Sequence, residues 1–292
     1  MEKVRIITDS NSGILQEEGK NLGIFVIPMP FMINDEEFEE EISLSQEDFY
    51  EKLKTNPNIS TSQPSPGYLM NLWDEQLKEA ESVVYIPMTS GLSSTCDNAS
   101  RLAESDYAGK VFVVDNQRIS VTQKMSVYEA IQLAKQGKSG EEIKKYLEST
   151  KHLASIYICV DTLKYLKKGG RISATAAALG TMLRVKPILS SRGEKFEKFA
   201  MAMSMGQAKK RMIQQIKNEL ETEFATEYKA GKMQVFVAHT QNEDEAIKFK
   251  EEIEKELGVK VEFVDPLSLS VSCHIGPGAL AIAMAVNNYV EF

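Results

Sequence analysis

The first half of the chain alternates short apolar runs of strand length with longer segments of helical pattern. The runs cover residues 4–7, 24–27, 83–87 and 111–114. A short apolar run is typical of a strand that is buried on both faces. Parallel strands need a crossover connection, which is usually a helix. This alternation therefore predicts an α/β fold with a mostly parallel, doubly wound sheet.

Four helix starts can be read from their capping residues. Ser45 stands three residues before an aspartate, which is typical of a capping box. Ser65 and Pro66 place an N-cap and a first-turn proline ahead of a second helix. A third helix is expected to begin near Ser93 and to run to about residue 103. Ser139, with a glutamate three residues later, predicts a fourth.

The second half of the chain has fewer helices per strand. Strands are predicted at 155–160, 185–190, 234–239, 261–264 and 279–286, and helices at 174–183, 206–223 and 242–257. This ratio predicts a mixed sheet that helices cover on one face. We therefore expect two closely packed domains, residues 1–150 and residues 151–292, since 292 residues suit about two domains.

The composition excludes several classes of partner. A net charge of −8 argues against nucleic acid, which needs a basic surface. It also disfavours general adsorption to anionic lipid, although local basic patches leave room for transient membrane contact. The first ten residues read as a strand rather than a signal peptide, and no apolar run reaches about 20 residues. Three scattered cysteines suit a reducing compartment, so we expect a cytoplasmic protein.

Motifs for common cofactors and metals are missing. Residues 137–139 (Gly-Lys-Ser) resemble the end of a phosphate-binding loop, but Gln132 stands where the earlier glycine is required. No GxGxxG follows the first strand, and the three histidines lack the spacing of a zinc site. The sequence therefore predicts neither a cofactor nor a metal, and it favours binding over catalysis.

Two polar segments lie where a parallel sheet places its ligand crevice. Residues 60–65 include Thr61 and Ser62 and precede a predicted helix, and residues 89–95 include Ser93 and Ser94 between a strand and a helix. Helix starts offer unpaired N–H groups and partial positive charge. Added hydroxyls make a small neutral site for one anion, either carboxylate or phosphate. The competing interpretation is that these hydroxyls only cap helices.

Two further segments carry candidate residues. His274 precedes a Gly276-Pro277-Gly278 turn. As a neutral or a protonated imidazole it could donate a hydrogen bond to an anion, or it could act as a base. Residues 161–172 place three lysines and Arg171 around a Gly-Gly pair on an acidic protein. That basic cluster suits either the end of a helix or a docking patch for an acidic partner.

Taken together, these segments resemble the DegV family, whose members include the FakB fatty-acid-binding subunits of bacterial fatty acid kinase. The resemblance runs nearly the full length, through six segments in order. They are Thr8-Asp9-Ser10, residues 61–64 and 90–93, residues 163–173, Lys186-Pro187-Ile188-Leu189 and residues 274–278. In place of a glycine common after the matching serine, this chain has Ser94, which puts the detailed head-group geometry in question.

The resemblance implies an N-terminal three-layer α/β/α domain and a C-terminal α+β domain with a mixed sheet, and a fatty acid in a tunnel between them. It implies that Thr61, Ser93 and His274 bind the carboxylate of one long-chain fatty acid, with Ser62, Ser94, Gly276 and Gly278 as secondary head-group residues. It also implies that an ATP-dependent fatty acid kinase subunit phosphorylates the carboxylate, with Arg171 in the docking surface. The apolar segments 176–183 and 279–286 could line the tunnel.

Two other functions remain open from the residues alone. A serine esterase could use Ser93, Asp265 and His274, which follow in triad order, but residues 91–95 (Gly-Leu-Ser-Ser-Thr) lack the second glycine of a nucleophile elbow. A phosphate or phosphosugar binder could use the same helix starts without any lipid.

Overall fold

The computed structural model describes residues 2–55, 58–178 and 185–290, which form two compact units. The first unit runs to His152 and also takes in Ser268–Ser270 and the residues 289–290. The second comprises Leu153–Leu267 and Val271–Asn288.

The first unit is built on a parallel sheet with the strand order β2-β1-β6-β7. The strands of this unit are β1 (Glu2–Asp9), β2 (Phe25–Ile27), β3 (Pro30–Ile33), β4 (Glu36–Glu39), β5 (Ile59–Thr61), β6 (Ala80–Ile86) and β7 (Val111–Val113). Its helices are α1 (Gln16–Leu22), α2 (Gln46–Lys54), α3 (Pro66–Gln76), α4 (Thr95–Asp106), α5 (Val121–Lys135) and α6 (Gly140–Ser149).

Apolar side chains cover this parallel sheet on both faces. On one face Ile7 and Tyr85 pack with Trp73 of α3 and with the apolar residues of α4. On the other face the apolar residues of β1 and β6 pack with those of α5 and α6, among them Val127. The unit is therefore a three-layer α/β/α structure, and burial on both faces explains why the runs of β1 and β6 are mostly apolar.

A small antiparallel sheet of order β4-β3-β5 lies in the same unit, and the sequence did not predict it. Phe31 of β3 pairs with Phe38 of β4 and with Thr61 of β5. The buried Phe31 ring also packs edge-on against Phe49 of α2, with the ring centroids 6.2 Å apart. This sheet determines where Thr61 lies.

The second unit holds a six-stranded mixed sheet of order β10-β9-β8-β13-β11-β12, in which only β11 and β12 are parallel. Its strands are β8 (Ala154–Cys159), β9 (Lys186–Ser191), β10 (Glu197–Ala202), β11 (Met233–His239), β12 (Val261–Pro266) and β13 (Leu280–Val286). Its helices are α7 (Lys164–Gly169), α8 (Ala174–Ala177), α9 (Met205–Glu221), α10 (Ala225–Lys229), α11 (Glu243–Leu257) and α12 (Leu269–Ile275), the last with its first two residues in the first unit.

Strand β13 at the middle of this sheet divides its side chains by size. Its larger side chains pack into the core formed with α9 and α11; they are Leu280, Ile282, Met284 and Val286. The alternate positions on the opposite face are Ala281, Ala283 and Ala285. The small–large alternation of the sequence therefore corresponds to two faces of one strand.

The predicted fold class is confirmed: a parallel sheet in an α/β/α arrangement is followed by a mixed sheet with helices. Ser45, Ser65 and Ser139 each cap a helix as predicted, and Ser139 forms a complete capping box with Glu142. The predicted helix 174–183 is seen as α8, and residues 179–184 lie outside the described part of the chain. Strands β3, β4, β5 and β10 were not predicted.

Candidate functional site

The first half of the loop between β6 and α4 is held by hydrogen bonds to two carboxylates. Its Met88 N–H donates to Oδ2 of Asp9 at 3.0 Å, at the carboxyl end of β1. Ser90 donates to Asp115 twice, from its hydroxyl at 2.6 Å and from its backbone N–H at 3.3 Å. Two carboxylates thus hold the loop at the carboxyl edge of the sheet, where open α/β folds place their ligands.

Ser93 lies at the start of α4, as predicted. Its Oγ accepts the backbone N–H of Thr95 at 3.2 Å and lies 2.9 Å from the Thr95 hydroxyl oxygen. Ser94 occupies the N-cap position, but its exposed side chain makes no capping hydrogen bond. The half-buried Ser93 hydroxyl therefore performs the capping, and the Ser94 hydroxymethyl does not crowd the helix start.

Thr61 does not lie at a helix start, and that part of the prediction is wrong. It is the last residue of β5, half-buried and paired with Phe31. The following helix begins five residues later, at Pro66, and its N-cap Ser65 accepts the N–H of Tyr68. A strand pairing between residues 30 positions apart, rather than a local cap, fixes the Thr61 backbone.

One side-chain hydrogen bond joins the two hydroxyl segments. Asn98 of α4 donates from Nδ2 to Oε1 of Gln63 at 2.9 Å, two residues after Thr61. Ser62, between Thr61 and Gln63, is exposed and donates its backbone N–H to the carbonyl of Pro30 at 3.1 Å. The first unit therefore places the Thr61 segment beside the helix that follows Ser93.

Asp9 is a fully buried carboxyl group beneath the loop of Ser93. It accepts hydrogen bonds from the backbone N–H groups of Met88 and Asn11 and from Nε2 of Gln123 at 3.0 Å. Burial raises the pKa of Asp9 to about 6, and these hydrogen bonds oppose the rise. Asp9 connects the ends of β1 and β6 to α5, so it supports the candidate site from below.

Glu40 is a second buried carboxyl group in the first unit, directly after β4. Its carboxylate accepts the hydroxyl of Ser10 at 2.7 Å, the backbone N–H of Leu269 and the hydroxyl of Ser270 at 3.3 Å. Burial raises the pKa of Glu40 to about 7. The Glu40 carboxylate therefore joins the end of β4 to Ser10, after β1, and to the segment of Leu269 and Ser270.

In the second unit, His274 lies against the Gly-Gly pair of the basic cluster. A Cβ atom at Gly169 would lie 2.2 Å from Nδ1 of His274, so only glycine allows this approach. Arg171 donates from its guanidinium to the carbonyl of Gly169. Burial, followed by the positive charge of Arg171, lowers the pKa of His274 to about 4. The imidazole is therefore neutral near pH 7, which corrects the suggestion of a protonated histidine.

Gly276 and Gly278 have left-handed backbone angles and close side-chain neighbours within the protein. Their φ angles are 83° and 81°, and a Cβ atom would lie 2.4 Å from the Tyr165 ring and 2.7 Å from the Asp161 carboxylate, respectively. Packing within the second unit is sufficient to require both glycines. Their head-group role therefore stays a prediction.

The surroundings of Asp265 and His274 do not favour an esterase triad. Asp265, on β12, is one of the two acidic residues whose charges act on the pKa of His239. The charge of Arg171, a cation, lowers the pKa of His274, whereas a triad requires a carboxylate that stabilises the imidazolium.

Within residues 2–55, 58–178 and 185–290, no group of three or more His, Cys, Asp or Glu residues could hold a metal ion. Over the same part of the chain, no helix combines the length and the apolar character needed to cross a membrane.

A family model described as "Uncharacterised protein, DegV family" matches residues 3–287. The chain belongs to the DegV family. Protein DegV of Bacillus subtilis is 32% identical over 96% of this chain and 98% of its own length. A DegV domain-containing protein of Clostridium perfringens is 31% identical over 97% of each chain.

Solved structures of DegV proteins share this fold. DegV of Bacillus subtilis, described as a fatty acid binding protein, has a TM-score of 0.82 and 29% identity, covering 98% of this chain and all of its own. A Thermus thermophilus DegV protein, described by its fatty acid binding, has a TM-score of 0.82 and 27% identity, covering 97% and 99% of the two chains.

The sequence of this DegV chain predicted the hydroxyls of the candidate site but not the two buried carboxyl groups, Asp9 and Glu40, of the same unit. Asp9 appeared only as part of the Thr8-Asp9-Ser10 segment, although an acidic residue ending an apolar strand is a usable signal. Glu40 stands among five other acidic residues in 35–41 and carries no such signal. Its burial depends on partners more than 200 residues away.

Proposed function

We propose that this DegV protein binds one long-chain fatty acid and holds its carboxylate with the hydroxyls of Thr61 and Ser93. The observation that carries the proposal is the Ser93 hydroxyl, which is held at the start of a twelve-residue helix by a firmly anchored loop. Two solved relatives above 25% identity, both described by fatty acid binding, support the same ligand.

The physical chemistry of the Ser93 position suits a carboxylate. The start of an α-helix carries about half a positive charge and presents unpaired N–H groups. Burying a carboxylate costs several kcal/mol and must be offset by hydrogen bonds. Hydroxyl donors at a helix start supply such bonds without introducing a second buried charge. The link between Asn98 and Gln63 keeps the Thr61 segment within the same part of the unit.

An acyl chain would supply most of the binding energy. Burying about sixteen carbons contributes near 12 kcal/mol, at roughly 0.8 kcal/mol per methylene. The segment 279–286, which contains β13, stays a predicted lining segment; its Ala281, Ala283 and Ala285 are buried within the structure. The other predicted lining segment, 176–183, lies mostly outside the described residues.

The finer proposal is that the protein is a carrier without its own ATP site. It would present the fatty acid carboxylate to an ATP-dependent fatty acid kinase subunit in the cytoplasm, for phosphorylation to an acyl phosphate. Arg171 is proposed as part of the docking surface. That His274 completes the polar end, and that residues 151–292 close the tunnel, remain predictions from the family resemblance.

Lipid analysis of the purified protein tests the main proposal. We expect one co-purifying fatty acid per chain by mass spectrometry. Ser93→Ala and Thr61→Ala should each weaken its retention by about 1–3 kcal/mol, the cost of losing a hydrogen bond to a charged group. Ser105→Ala is a matched control, because its hydroxyl donates to the Leu102 carbonyl in the same helix α4. Unchanged lipid content in both site variants would exclude these hydroxyls from the site.

The same preparation separates the alternatives. A lipid-free extract combined with affinity for phosphate compounds would favour the phosphosugar binder. Turnover of a chromogenic ester that Ser93→Ala abolishes would favour the esterase.

The kinase proposal needs its own assay. Loaded protein is incubated with ATP and an extract of the source cells, and acyl phosphate is trapped with hydroxylamine. Arg171→Ala should retain its fatty acid but slow hydroxamate formation, whereas Lys217→Ala, an exposed lysine of α9 outside the basic cluster, serves as the control. A rate equal to the wild type would exclude Arg171 from docking.

A further inference from the structure

The Ser93 hydroxyl has a close partner that the proposed function does not yet use. Thr95, the first residue of α4, is 2% exposed and lies directly beneath Ser93. Its hydroxyl oxygen is 2.9 Å from the Ser93 oxygen, and its backbone N–H donates to that same oxygen at 3.2 Å. The hydroxyl and the backbone N–H of Thr95 therefore both lie within hydrogen-bond distance of the Ser93 oxygen.

A hydroxyl group has one proton to donate and two lone pairs that accept. The Thr95 N–H occupies one lone pair of Ser93. If the Thr95 hydroxyl donates to the second, Ser93 keeps only its own proton for any further hydrogen bond. The opposite direction would leave Ser93 with a free lone pair beside the ligand, where an ionised carboxylate brings only acceptor oxygens.

We propose that Thr95 is a positioning and specificity residue for the carboxylate, an inference that rests on the proposed fatty acid function. Its hydroxyl donates to Ser93 and makes Ser93 a donor only. Such a serine suits an acceptor-only ligand and forms a charge-assisted hydrogen bond with it. A fatty alcohol both donates and accepts, so it gains less from this arrangement. The proposal therefore concerns selection of acids over alcohols of the same length.

Thr95→Val removes the hydroxyl and keeps the size of the side chain. The lone pair that Ser93 regains can then accept a hydrogen bond from an alcohol, whereas an ionised carboxylate has no proton to donate to it. Because Ser93 is no longer held as a donor, the carboxylate loses part of its hydrogen bond. We expect the affinity of delipidated protein for palmitate to fall on the order of fivefold, the size of one modest hydrogen bond. Affinity for hexadecanol should change by less than a factor of about two, so the selectivity ratio falls. Thr95→Ser keeps the hydroxyl and should restore the ratio.

Both ligands are titrated against wild type, Ser93→Ala and the Thr95 variants, with unfolding followed by tryptophan fluorescence. Thr95→Ala replaces the valine variant if the latter does not fold. Equal losses for acid and alcohol would assign Thr95 a structural role and overturn the inference. Weaker palmitate binding in Ser93→Ala, with unchanged binding in Thr95→Val, would overturn it and leave the proposed function intact. Unchanged palmitate binding in Ser93→Ala would remove the proposed role of Ser93 and this inference together.

Discussion

Replacing Glu40 with glutamine should change how the stability of the first unit depends on pH. Glu40 is 3% exposed, and burial raises its pKa from 4.5 to about 7. A carboxyl group whose folded pKa is raised holds its proton more tightly in the folded state. Its contribution to stability is therefore complete below about pH 4.5 and is lost as the pH rises through 7.

The size of the effect follows from the shift. One pKa unit corresponds to about 1.4 kcal/mol, so a shift from 4.5 to about 7 corresponds to about 3 kcal/mol. Glutamine does not titrate. The free energy of unfolding of Glu40→Gln, measured relative to wild type, should therefore rise by about 3 kcal/mol between pH 4.5 and pH 8. Asp9, with its pKa near 6, titrates in both proteins and cancels in this difference.

The single tryptophan makes the assay specific to the correct unit. Trp73 is fully buried in the core of the first unit, so its fluorescence reports the unfolding of the unit that holds Glu40. Urea titrations at several pH values give the free energies. The control is Glu37→Gln on exposed β4, for which we expect a change within about 0.5 kcal/mol at every pH. A difference between Glu40→Gln and wild type that does not vary with pH would refute the reasoning.

Three further predictions concern single contacts. Ser139→Ala should lower the free energy of unfolding by about 1 kcal/mol in urea titrations, because it removes half of a capping box; an unchanged midpoint would contradict this. Gly169→Ala should lower the melting temperature because its Cβ would meet the His274 ring, whereas Gly206→Ala, with open space around it, should not; equal melting temperatures would refute the contact. Arg171→Ala should raise the pKa of His274 above about 4 in an NMR titration, since a neighbouring positive charge is removed; an unchanged value would place Arg171 farther away.

The sequence predicted the elements whose stability is decided locally. The runs of β1 and β6 are apolar, apart from Arg5 in β1, because helices cover both faces of their sheet. Helix starts were predicted because a cap depends on residues three positions apart. The small sheet β4-β3-β5 was missed, since β4 reads Glu-Glu-Phe-Glu and is held by pairing with β3 rather than by any pattern of its own.

The same distinction applies to the candidate site. Ser93 was predicted because its strand, loop and helix are consecutive in the sequence. The predicted position of Thr61 was wrong because Thr61 ends a strand that pairs with Phe31, 30 residues earlier, and the helix begins only after its N-cap Ser65. Glu40 could not be predicted to be buried, since the N–H of Leu269 and the hydroxyl of Ser10 approach it only in the folded chain.

The direction of the hydrogen bonds around Ser93 separates a carrier from a hydrolase. A nucleophilic serine must give its proton to a base and use a lone pair to attack a carbonyl. Here the Ser93 oxygen accepts the N–H of Thr95 and, in our proposal, its hydroxyl as well. Both lone pairs are then occupied, and the proton is the only group left to offer. His274 gives no support for the alternative, because a pKa of about 4 makes the imidazole a weak base and the charge of Arg171 opposes formation of an imidazolium. Under that proposal Ser93 offers its proton to an anion and has no lone pair left with which to attack an ester.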